Sequence, residues 1–415
     1  MTLETQELRG EGDVARPADT VTYRGLFALP TFPRLATATV LGRTGGNLWQ
    51  IALILFILQR YHSPTLAGFA AFLSAVPGLL ISPLAGALLD RHGRVRLILL
   101  DYGVGIVALS LLAALSLLHH LSPALLLIIV ALASLTGPLT ASGTRALFPL
   151  IVPRALWDRA NAVDSGSQAV ATVIGPALAG FFVAWFGGEG AFLITAGFFV
   201  ASGIVMLRVR DPQTTPSSQD SLLRASWQAV VYVVRHPTLR GVVFTLWSSN
   251  IPAGILSVAI PVLALRSFHW GAGGVGLLWT VAGVTTIIAG TFVGSINTEG
   301  RERPIIAIGL GIAALGCVLT VARTPLAVVL AMALFGLASG PIDIGLFALR
   351  QRRTDPRLFG RVFAVSMALN FAGIPVGSAL GGPVVAHSIL LALLLAAGVS
   401  VVGCVVPFLT IPAKG

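Results

Sequence analysis

Long runs without a charged residue are the feature that most constrains this chain. Such runs cover residues 61–89, 241–265, 267–298 and 304–322, and a longer one covers residues 362–413. A helix needs about 20 mostly apolar residues to cross a bilayer, so each of the shorter runs can hold one crossing. The longest run is interrupted at His387 and Ser388 and can hold two. The sequence therefore predicts a multi-pass membrane protein.

Composition excludes a large soluble protein. The chain is 55% hydrophobic and 10% charged, whereas a soluble domain carries about 25% charged residues. Its apolar runs are continuous, unlike the alternating strands of a membrane barrel, so the spans are helices. The prediction is an all-α membrane protein with twelve transmembrane helices, at residues 35–59, 65–89, 97–118, 124–147, 161–186, 190–208, 240–265, 273–297, 304–322, 325–349, 361–386 and 389–411. These are spans 1 to 12 below.

The arginines predict an orientation. The net charge is +11, and the odd-numbered connections between spans carry only Arg60, Arg266 and Arg323. The even-numbered connections carry Arg91, Arg94, Arg96, Arg154, Arg159, Arg208, Arg210, Arg224, Arg235, Arg301, Arg303, Arg350, Arg352, Arg353 and Arg357. Because positive loops stay in the cytoplasm, we expect both termini there and a location in the cytoplasmic (inner) membrane. Since the charge sits in membrane loops, no nucleic acid partner is predicted.

The longest connection, residues 209–239, divides the spans six and six. It opens with "DPQTTPSSQD", a polar linker. One helical face then carries apolar side chains, namely Leu223, Trp227, Val230, Val231 and Val234. Two interpretations remain open: an amphipathic helix on the cytoplasmic membrane surface, or a helix packed on the cytoplasmic ends of the spans.

The two sets of six spans repeat each other. "GPALAG" at Gly175–Gly180 matches "GSALGG" at Gly377–Gly382, and Asn47 matches Asn250 at nearly the same offset. We therefore predict an N-terminal tail (1–34), a six-helix bundle (35–208), a linker (209–239) and a second bundle (240–415). Paired bundles of this kind enclose a substrate site near the membrane midplane and expose it to each side in turn.

The connection between spans 2 and 3, "GALLDRHGR", is similar to the G-x-L-x-D-R-x-G-R loop of the major facilitator superfamily, which the chain resembles over its whole length. "VIGPALAG" in span 5 is similar to a motif of that family's drug:proton antiporters. "PRALWDRANAV" and "FGRVFAVSM" resemble the branch of macrolide-efflux pumps and enterobactin exporters. Asn47 stands where that branch often has aspartate. The resemblance implies secondary active export driven by protons.

The charged loop predicts a latch between the bundles. Its residues are Gly86, Asp90, Arg91, Gly93 and Arg94. In the family the equivalent aspartate meets the start of span 11, where Arg361 stands here. We expect the latch to be closed when the substrate site faces outward and broken when it faces inward. The alternative is a static turn whose charges only fix topology.

In span 5, Gly175 and Pro176 with Gly180 predict either a bend that seals the cavity against protons or ordinary close packing.

Charges within spans are costly and usually functional. The candidates for proton coupling or gating are Arg43, Asp101, Arg145, Asp164 and Asp343. Asp343 has two interpretations. Buried without a partner it would carry a proton, and paired with Arg43 or Arg145 it would form a gate.

Polar and aromatic residues near mid-span are the candidates for the substrate cavity. They are Asn47, Trp49, Gln50, Thr136, Thr140, Trp247, Ser249, Asn250 and Asn370. Charges are few and aromatic rings several in the spans, which favours an amphipathic or apolar small molecule. For any one of these residues, packing between helices is the alternative.

No catalytic motif, phosphate-binding loop or metal-ligand spacing is present in the sequence, so we expect a transporter and not an enzyme. We predict no cofactor, a proton gradient as the energy source, and a monomer in the lipid bilayer. The first functional hypothesis is proton-coupled efflux of a drug or secondary metabolite. The others are siderophore export, an uptake permease, a lipid flippase, and a membrane receptor without transport activity.

Overall fold

The computed structural model describes residues 22–211, 230–294, 300–354 and 359–412, and within these ranges the regular elements are helices. Ten of the described helices are long and apolar enough to cross a membrane. The helical segments that correspond to the predicted spans are Phe32–Arg60, Pro64–Leu73 with Val76–His92, Arg94–Leu117, Pro123–Ser134 with Gly137–Ile151, Trp157–Met206, Pro237–Val262, Gly271–Gly294, Glu302–Thr320, Pro325–Arg353, Phe359–Phe371 with Gly373–His387, and Ile389–Gly403 with Val406–Thr410.

Spans 5 and 6 together form Trp157–Met206, which is interrupted at Gly187. Gly187 has a φ of 70° and a ψ of 178°, which a residue with a side chain adopts only with strain. Span 12 is the shorter apolar helix Ile389–Gly403. Because one of the ten long helices contains two spans and span 12 is shorter than the others, each of the twelve predicted spans has a helical counterpart.

Spans 2, 4 and 11 are each divided near their middle, where the sequence predicts continuous helices. In spans 2 and 4 the second segment begins with a proline at its second position, Pro77 and Pro138. Proline has no N–H group, so the carbonyl four residues earlier loses its helical partner and the helix ends there.

Four spans that follow odd-numbered connections begin in the same way. Ser63, Ser122, Thr324 and Ser388 each accept a hydrogen bond from the backbone N–H three residues later. This N-cap satisfies a donor that has no partner inside the helix. The caps explain why the helices start within a residue or so of the predicted positions.

The two ends of the molecule differ in how the halves pack. We call the end with both chain termini and the even-numbered connections the terminal side, and the other end the distal side. On the distal side one hydrophobic cluster joins both halves, including Leu53 and Phe192 with Ile260 and Val275. On the terminal side the described clusters are separate: Leu35 and Met206 belong to the first half, and other clusters belong to the second.

The repeated glycine motifs close the distal side. At Gly180 in span 5, a Cβ would lie 2.6 Å from the Cα of Gly276 in span 8. At Gly382 in span 11, a Cβ would lie 2.7 Å from the carbonyl oxygen of Pro64 in span 2. Both contacts join one half to the other, so only glycine permits this approach.

The described end of the long connection, residues 230–235, is helical and meets spans 7 and 11. Val233 is buried there, whereas Val234 is exposed. Residues 212–229 lie outside the described residues, and with them Leu223 and Trp227 of the predicted amphipathic helix; so do residues 1–21 of the N-terminal tail.

Candidate functional site

Span 5 carries a polar face along its terminal half. Its exposed polar side chains recur every three or four residues, at Asn161, Ser165, Gln168 and Thr172. Exposed Val170 and Ile174 occupy the opposite face. Because lipid contacts the apolar face, the polar face borders a space inside the molecule. Sequence analysis missed this face, although its helical spacing is visible in the sequence.

An ion pair joins span 1 to span 5 beside that space. Nη2 of Arg43 lies 2.7 Å from Oδ1 of Asp164, and Nη1 donates to the backbone oxygen of Asp164 at 2.8 Å and to Oγ of Ser167 at 2.5 Å. Arg145 of span 4 is exposed and interacts electrostatically with Arg43. Of the five candidate charges, these three therefore lie together.

Span 1 turns one of its candidate residues toward the space and another away from it. Gln50 is exposed, and a Cβ at Gly46 would meet no described atom within 4 Å. Trp49 points elsewhere, because its ring packs 5.8 Å from that of Phe192 in span 6. Asn47 donates to the carbonyl oxygen of Arg43 at 2.9 Å.

Candidate residues of span 7 bind the break in span 11. Nε1 of Trp247 donates to the carbonyl oxygen of Leu369 at 2.8 Å, and Nδ2 of Asn250 donates to that of Asn370 at 2.8 Å. These carbonyls end a helix and lack some of their usual partners. The Asn370 side chain is 2% exposed, and Ser249 is half-buried. Trp247 and Asn250 thus join helices in this conformation.

Asp343 of span 10 is exposed although it lies well inside the helix Pro325–Arg353. Among the described residues, the charged group that interacts with it is Arg350, two turns later on the same helix. Arg350 is buried and donates to Sδ of Met367 at 3.0 Å. The structure therefore departs from the predicted gate: Arg43 forms its ion pair with Asp164 and not with Asp343.

Asp101 and two candidate threonines form a separate group. Oγ1 of Thr136 donates to Oδ1 of Asp101 at 2.6 Å, and Thr140 follows one helical turn later. This contact joins span 3 to span 4 within the first half. Thr136 and Thr140 therefore face span 3, whereas Arg145 is on the exposed face of span 4.

Span 8 contributes residues that sequence analysis missed. Trp279 is half-buried, and its indole N–H has no partner among the described residues. Two turns later, Thr286 accepts a hydrogen bond from Ser339 of span 10 at 3.2 Å. Which way Trp279 faces depends on how span 8 is rotated, and the sequence does not give that rotation.

The charged loop forms a tight hairpin within the first half. Gly93 has a φ of 89°, and Arg94 pairs with Asp90 across it at 2.7 Å. Oδ2 of Asp211, at the end of span 6, accepts from the N–H of Val95 at 3.0 Å. Arg91 is exposed, and a Cβ at Gly86 would meet no atom within 4 Å in the described ranges. The side chain of Arg361 lies outside the described part of the chain, so the predicted latch contact stays a prediction.

Span 5 is helical through Gly175 and Pro176, and the break in Trp157–Met206 comes later, at Gly187. A Cβ at Gly175 would lie 2.5 Å from the Cβ of Asn47. Gly175 therefore packs against span 1 and Gly180 against span 8. The predicted seal against protons stays a prediction.

Comparisons with known proteins agree with this architecture. The model of the Major Facilitator Superfamily matches residues 35–262 and again residues 242–415. The uncharacterized MFS-type transporter y4rN of Sinorhizobium fredii is 36% identical over 404 residues, which cover 94% of this chain and 97% of the relative. The multidrug efflux pump Tap of Mycolicibacterium fortuitum is 25% identical over 375 residues, which cover 88% and 90%.

Solved structures share the fold. The nucleoside transporter NupG superposes with a TM-score of 0.73 at 14% identity, over 91% of this chain and 98% of that one. A POT family transporter in complex with 5-aminolevulinic acid has a TM-score of 0.74 at 13% identity, over 95% and 99%. At these identities the likeness concerns the fold alone.

Proposed function

This chain belongs to the major facilitator superfamily, and from that membership we propose that it exports a hydrophobic or amphipathic small molecule in exchange for protons, by alternating access. The family resemblance and the fold class predicted from the sequence, two six-helix bundles in a membrane, are confirmed. The chain is thus a multi-pass membrane protein of a transporter family, whose substrates are small molecules.

One observation carries the proposal: the halves share a core on the distal side and have separate cores on the terminal side. The polar face of span 5 borders the space between them. A space open to one side only is one of the two states that alternating access requires. The molecule therefore has the conformation in which a substrate enters from the terminal side.

Export follows from placing the terminal side in the cytoplasm. The arginine-rich connections all lie on this side, as the positive-inside rule expects of cytoplasmic loops. The proposal includes an inner-membrane location, a monomer, and domain boundaries near residues 34, 208 and 239. The relatives named multidrug efflux pump Tap support the same direction of transport.

The residues around the space favour an amphipathic substrate. Gln50, Gln168 and Thr172 offer uncharged hydrogen-bonding groups, and exposed Asp343 offers a negative charge. A few polar groups among apolar walls are typical of sites for drug-sized molecules. A neutral or cationic body with apolar surface fits this set.

The test is counterflow in proteoliposomes at imposed pH gradients. The compounds are ethidium and tetraphenylphosphonium as lipophilic cations, erythromycin as a macrolide, and enterobactin as a siderophore. We expect a lipophilic cation or the macrolide to exchange, and a proton gradient to drive its accumulation. Exchange of enterobactin alone would indicate the siderophore exporter, and no exchange of any compound would contradict the proposal.

A matched pair of variants relates the transport to the cavity. Gln168→Ala removes a polar group from the inner face of span 5, and Ile174→Ala truncates a side chain on its lipid face. The first should raise the substrate concentration at which counterflow is half-maximal, and the second should leave that concentration unchanged. Equal effects of the two variants would contradict the assignment of the polar face.

A further inference from the structure

The break in span 4 is held by a side chain from span 3. Span 4 ends its first segment at Ser134 and starts its second at Gly137, and Pro138 prevents a continuous helix. Thr136 occupies the N-cap position, yet its hydroxyl makes no capping bond. The hydroxyl donates to Asp101 at 2.6 Å, with the carbonyl oxygen of Ala133 more distant at 3.2 Å. The hydroxyl of this N-cap residue thus binds span 3 and does not cap its own helix.

Asp101 differs from the other acidic residues of the spans in its partners. Asp164 has the guanidinium of Arg43, and Asp343 interacts with Arg350. In the described ranges, the hydrogen-bonding partners of Asp101 are the hydroxyls of Thr136 and Thr140, and no ion pair reaches it. Protonation of Asp164 would leave a buried arginine without its anion, whereas protonation of Asp101 leaves no cation behind.

A hydroxyl suits an acid that changes its protonation state. Toward a carboxylate, the hydroxyl of Thr136 donates its hydrogen. Toward a carboxylic acid, the same oxygen accepts the acid's O–H. Asp101 and Thr136 therefore remain hydrogen-bonded to each other in both states. An arginine partner could not remain bonded to the acid's O–H, because a guanidinium group only donates. The hydrogen bond is stronger in the charged state, because a bond to an ionised acceptor is about twice as strong as a neutral one.

We propose that Asp101 binds the coupling proton, and that its charge determines how firmly the second segment of span 4 is tethered to span 3. This inference rests on the proposed proton-coupled export. On protonation, a proton from water forms an O–H bond on the carboxyl group, and the Thr136 hydroxyl changes from donor to acceptor. The tether then weakens and the segment Gly137–Ile151 is freer to pivot at Thr136.

The segment that pivots borders the cavity. It carries Arg145, which is exposed and interacts with Arg43. It also packs on the charged hairpin, because a Cβ at Gly143 would lie 3.1 Å from Leu89. A proton on Asp101 therefore changes the position of a cavity cation and of the helix that precedes the hairpin.

Few other titratable groups face Asp101. Span 3 itself contributes Tyr102 and Arg96, and span 1 contributes Arg43, which interacts with Tyr102. The hairpin contributes Asp90, Arg91, His92 and Arg94, two turns or more away. The second segment of span 4 contributes Arg145, on a different face from Thr136 and Thr140. The first segment of span 4 and span 6 from Gly190 to Met206 have no titratable residue. A pH response of this break is therefore assigned to Asp101.

The first experiment separates exchange from coupling in proteoliposomes loaded with a pH-sensitive dye. Asp101→Asn should keep counterflow, which needs no net proton movement, and lose both accumulation driven by a pH gradient and proton release. Thr136→Val should keep coupling but shift the pH profile of transport to higher pH, because the carboxylate has lost the 2.6 Å hydrogen bond from Thr136. Thr195→Val is the control, since Thr195 lies in span 6 and its hydroxyl bonds to the carbonyl oxygen of Ala191 in its own helix.

Accumulation by Asp101→Asn under a pH gradient would overturn the inference. So would accumulation driven by a sodium gradient at constant pH in the wild type.

The second experiment needs no substrate, so its outcome does not depend on the proposed function. Spin labels at Leu118 and Leu150, both exposed, report the distance from the distal end of span 3 to the terminal end of span 4. In the wild type we expect a pH-dependent distance distribution, and in Asp101→Asn a pH-independent one. A wild type without pH dependence, or a variant that retains it, would overturn the inference even if export is established.

Discussion

Arg43 is the intramembrane cation whose surroundings are most completely defined. Its guanidinium binds the carboxylate and the backbone oxygen of Asp164 as well as the hydroxyl of Ser167. Both side chains of the ion pair are mostly buried, at 13% and 18% exposure. A pair with these geometries stabilises the contact between spans 1 and 5, and it leaves Arg145 and Asp343 as the charges that remain exposed beside the cavity.

The pair predicts a loss of stability in Arg43→Gln. Removing one partner of a buried ion pair costs about 3–5 kcal/mol, because the other charge stays buried without compensation. We expect a lower melting temperature for the purified protein in detergent, and partial recovery in the double variant Arg43→Gln/Asp164→Asn. Arg210→Gln, at an exposed position outside the spans, serves as the control. A melting temperature of Arg43→Gln equal to that of the wild type would show that the pair does not form.

His236 predicts a pH dependence at the terminal side, just before span 7. Burial lowers the pKa of His236 from its ordinary value of 6.5, and nearby Arg353 lowers it further. Because the folded state then binds fewer protons than the unfolded state, stability is full above pH 6.5 and falls as the pH drops through and below that value. The melting temperature of the wild type should fall over this range by more than that of His236→Gln. Parallel pH profiles would contradict the assignment.

The charged residues could be found in the sequence, but their pairing could not. Arg43 and Asp164 are 121 positions apart, and which acid Arg43 meets depends on the rotation of spans 1 and 5. The same rotation directs Trp49 toward Phe192 and Gln50 toward the cavity. The polar face of span 5 was visible in the spacing of Asn161 and its successors, and it required only that spans be examined for polar as well as apolar periodicity.

At the scale of helices, a seam of small residues joins span 5 to span 8. Glycines recur every seven residues in span 8, at Gly276, Gly283 and Gly290. At the first two positions, added Cβ atoms would meet Gly180 and Val173 of span 5 within 3.0 Å. At Gly290, and at Gly166 in the matching position of span 5, no atom of the described residues lies within 4 Å. The seam is therefore closed toward the distal side and open toward the terminal side.

The seam predicts opposite effects of two matched substitutions. Gly276→Val inserts atoms into the closed part and should disfavour the conformation described here. Gly290→Val inserts atoms into the open part and should disfavour the conformation in which the terminal side closes. Overpacking costs about 1–3 kcal/mol, enough to shift a two-state population about 5- to 150-fold. Both variants also carry Gln168→Cys as a reporter on the polar face of span 5. The rate at which a thiol reagent added from the terminal side modifies this cysteine should fall in the first variant and rise in the second. A change of both rates in the same direction would contradict the seam.

Hydropathy predicted the number and approximate limits of the spans, because burial in lipid is a property of each segment alone. It did not predict the breaks in spans 2, 4 and 11. Pro77 and Pro138 were present in the sequence, but Pro176 lies in an uninterrupted helix. Whether a span breaks depends on partners for the carbonyls at the break, such as Trp247 for Leu369. Those partners come from other helices.

At the scale of the whole molecule, the described contacts at the distal side join the two halves, whereas those at the terminal side lie within one half. On the distal side, the halves share one core, and Arg266 of the second half donates to the carbonyl oxygen of His62 in the first at 2.6 Å. On the terminal side, Asp90, Arg94 and Asp211 interact within the first half, and Glu302 pairs with Arg352 within the second. Duplication of the bundles was predictable from the repeated motifs, but which end is closed depends on contacts between the halves.

The central claim is that the two ends open in alternation, and two distances measured by double electron–electron resonance test it most directly. With Cys317 and Cys404 replaced by alanine, one pair of spin labels is placed at His92 and Arg301 on the terminal side, and another at His120 and Arg323 on the distal side. All four positions are exposed. On addition of tetraphenylphosphonium and a change of pH, we expect a second population with a shorter terminal distance and a longer distal one. Distances that do not change, or that lengthen together, would contradict the account.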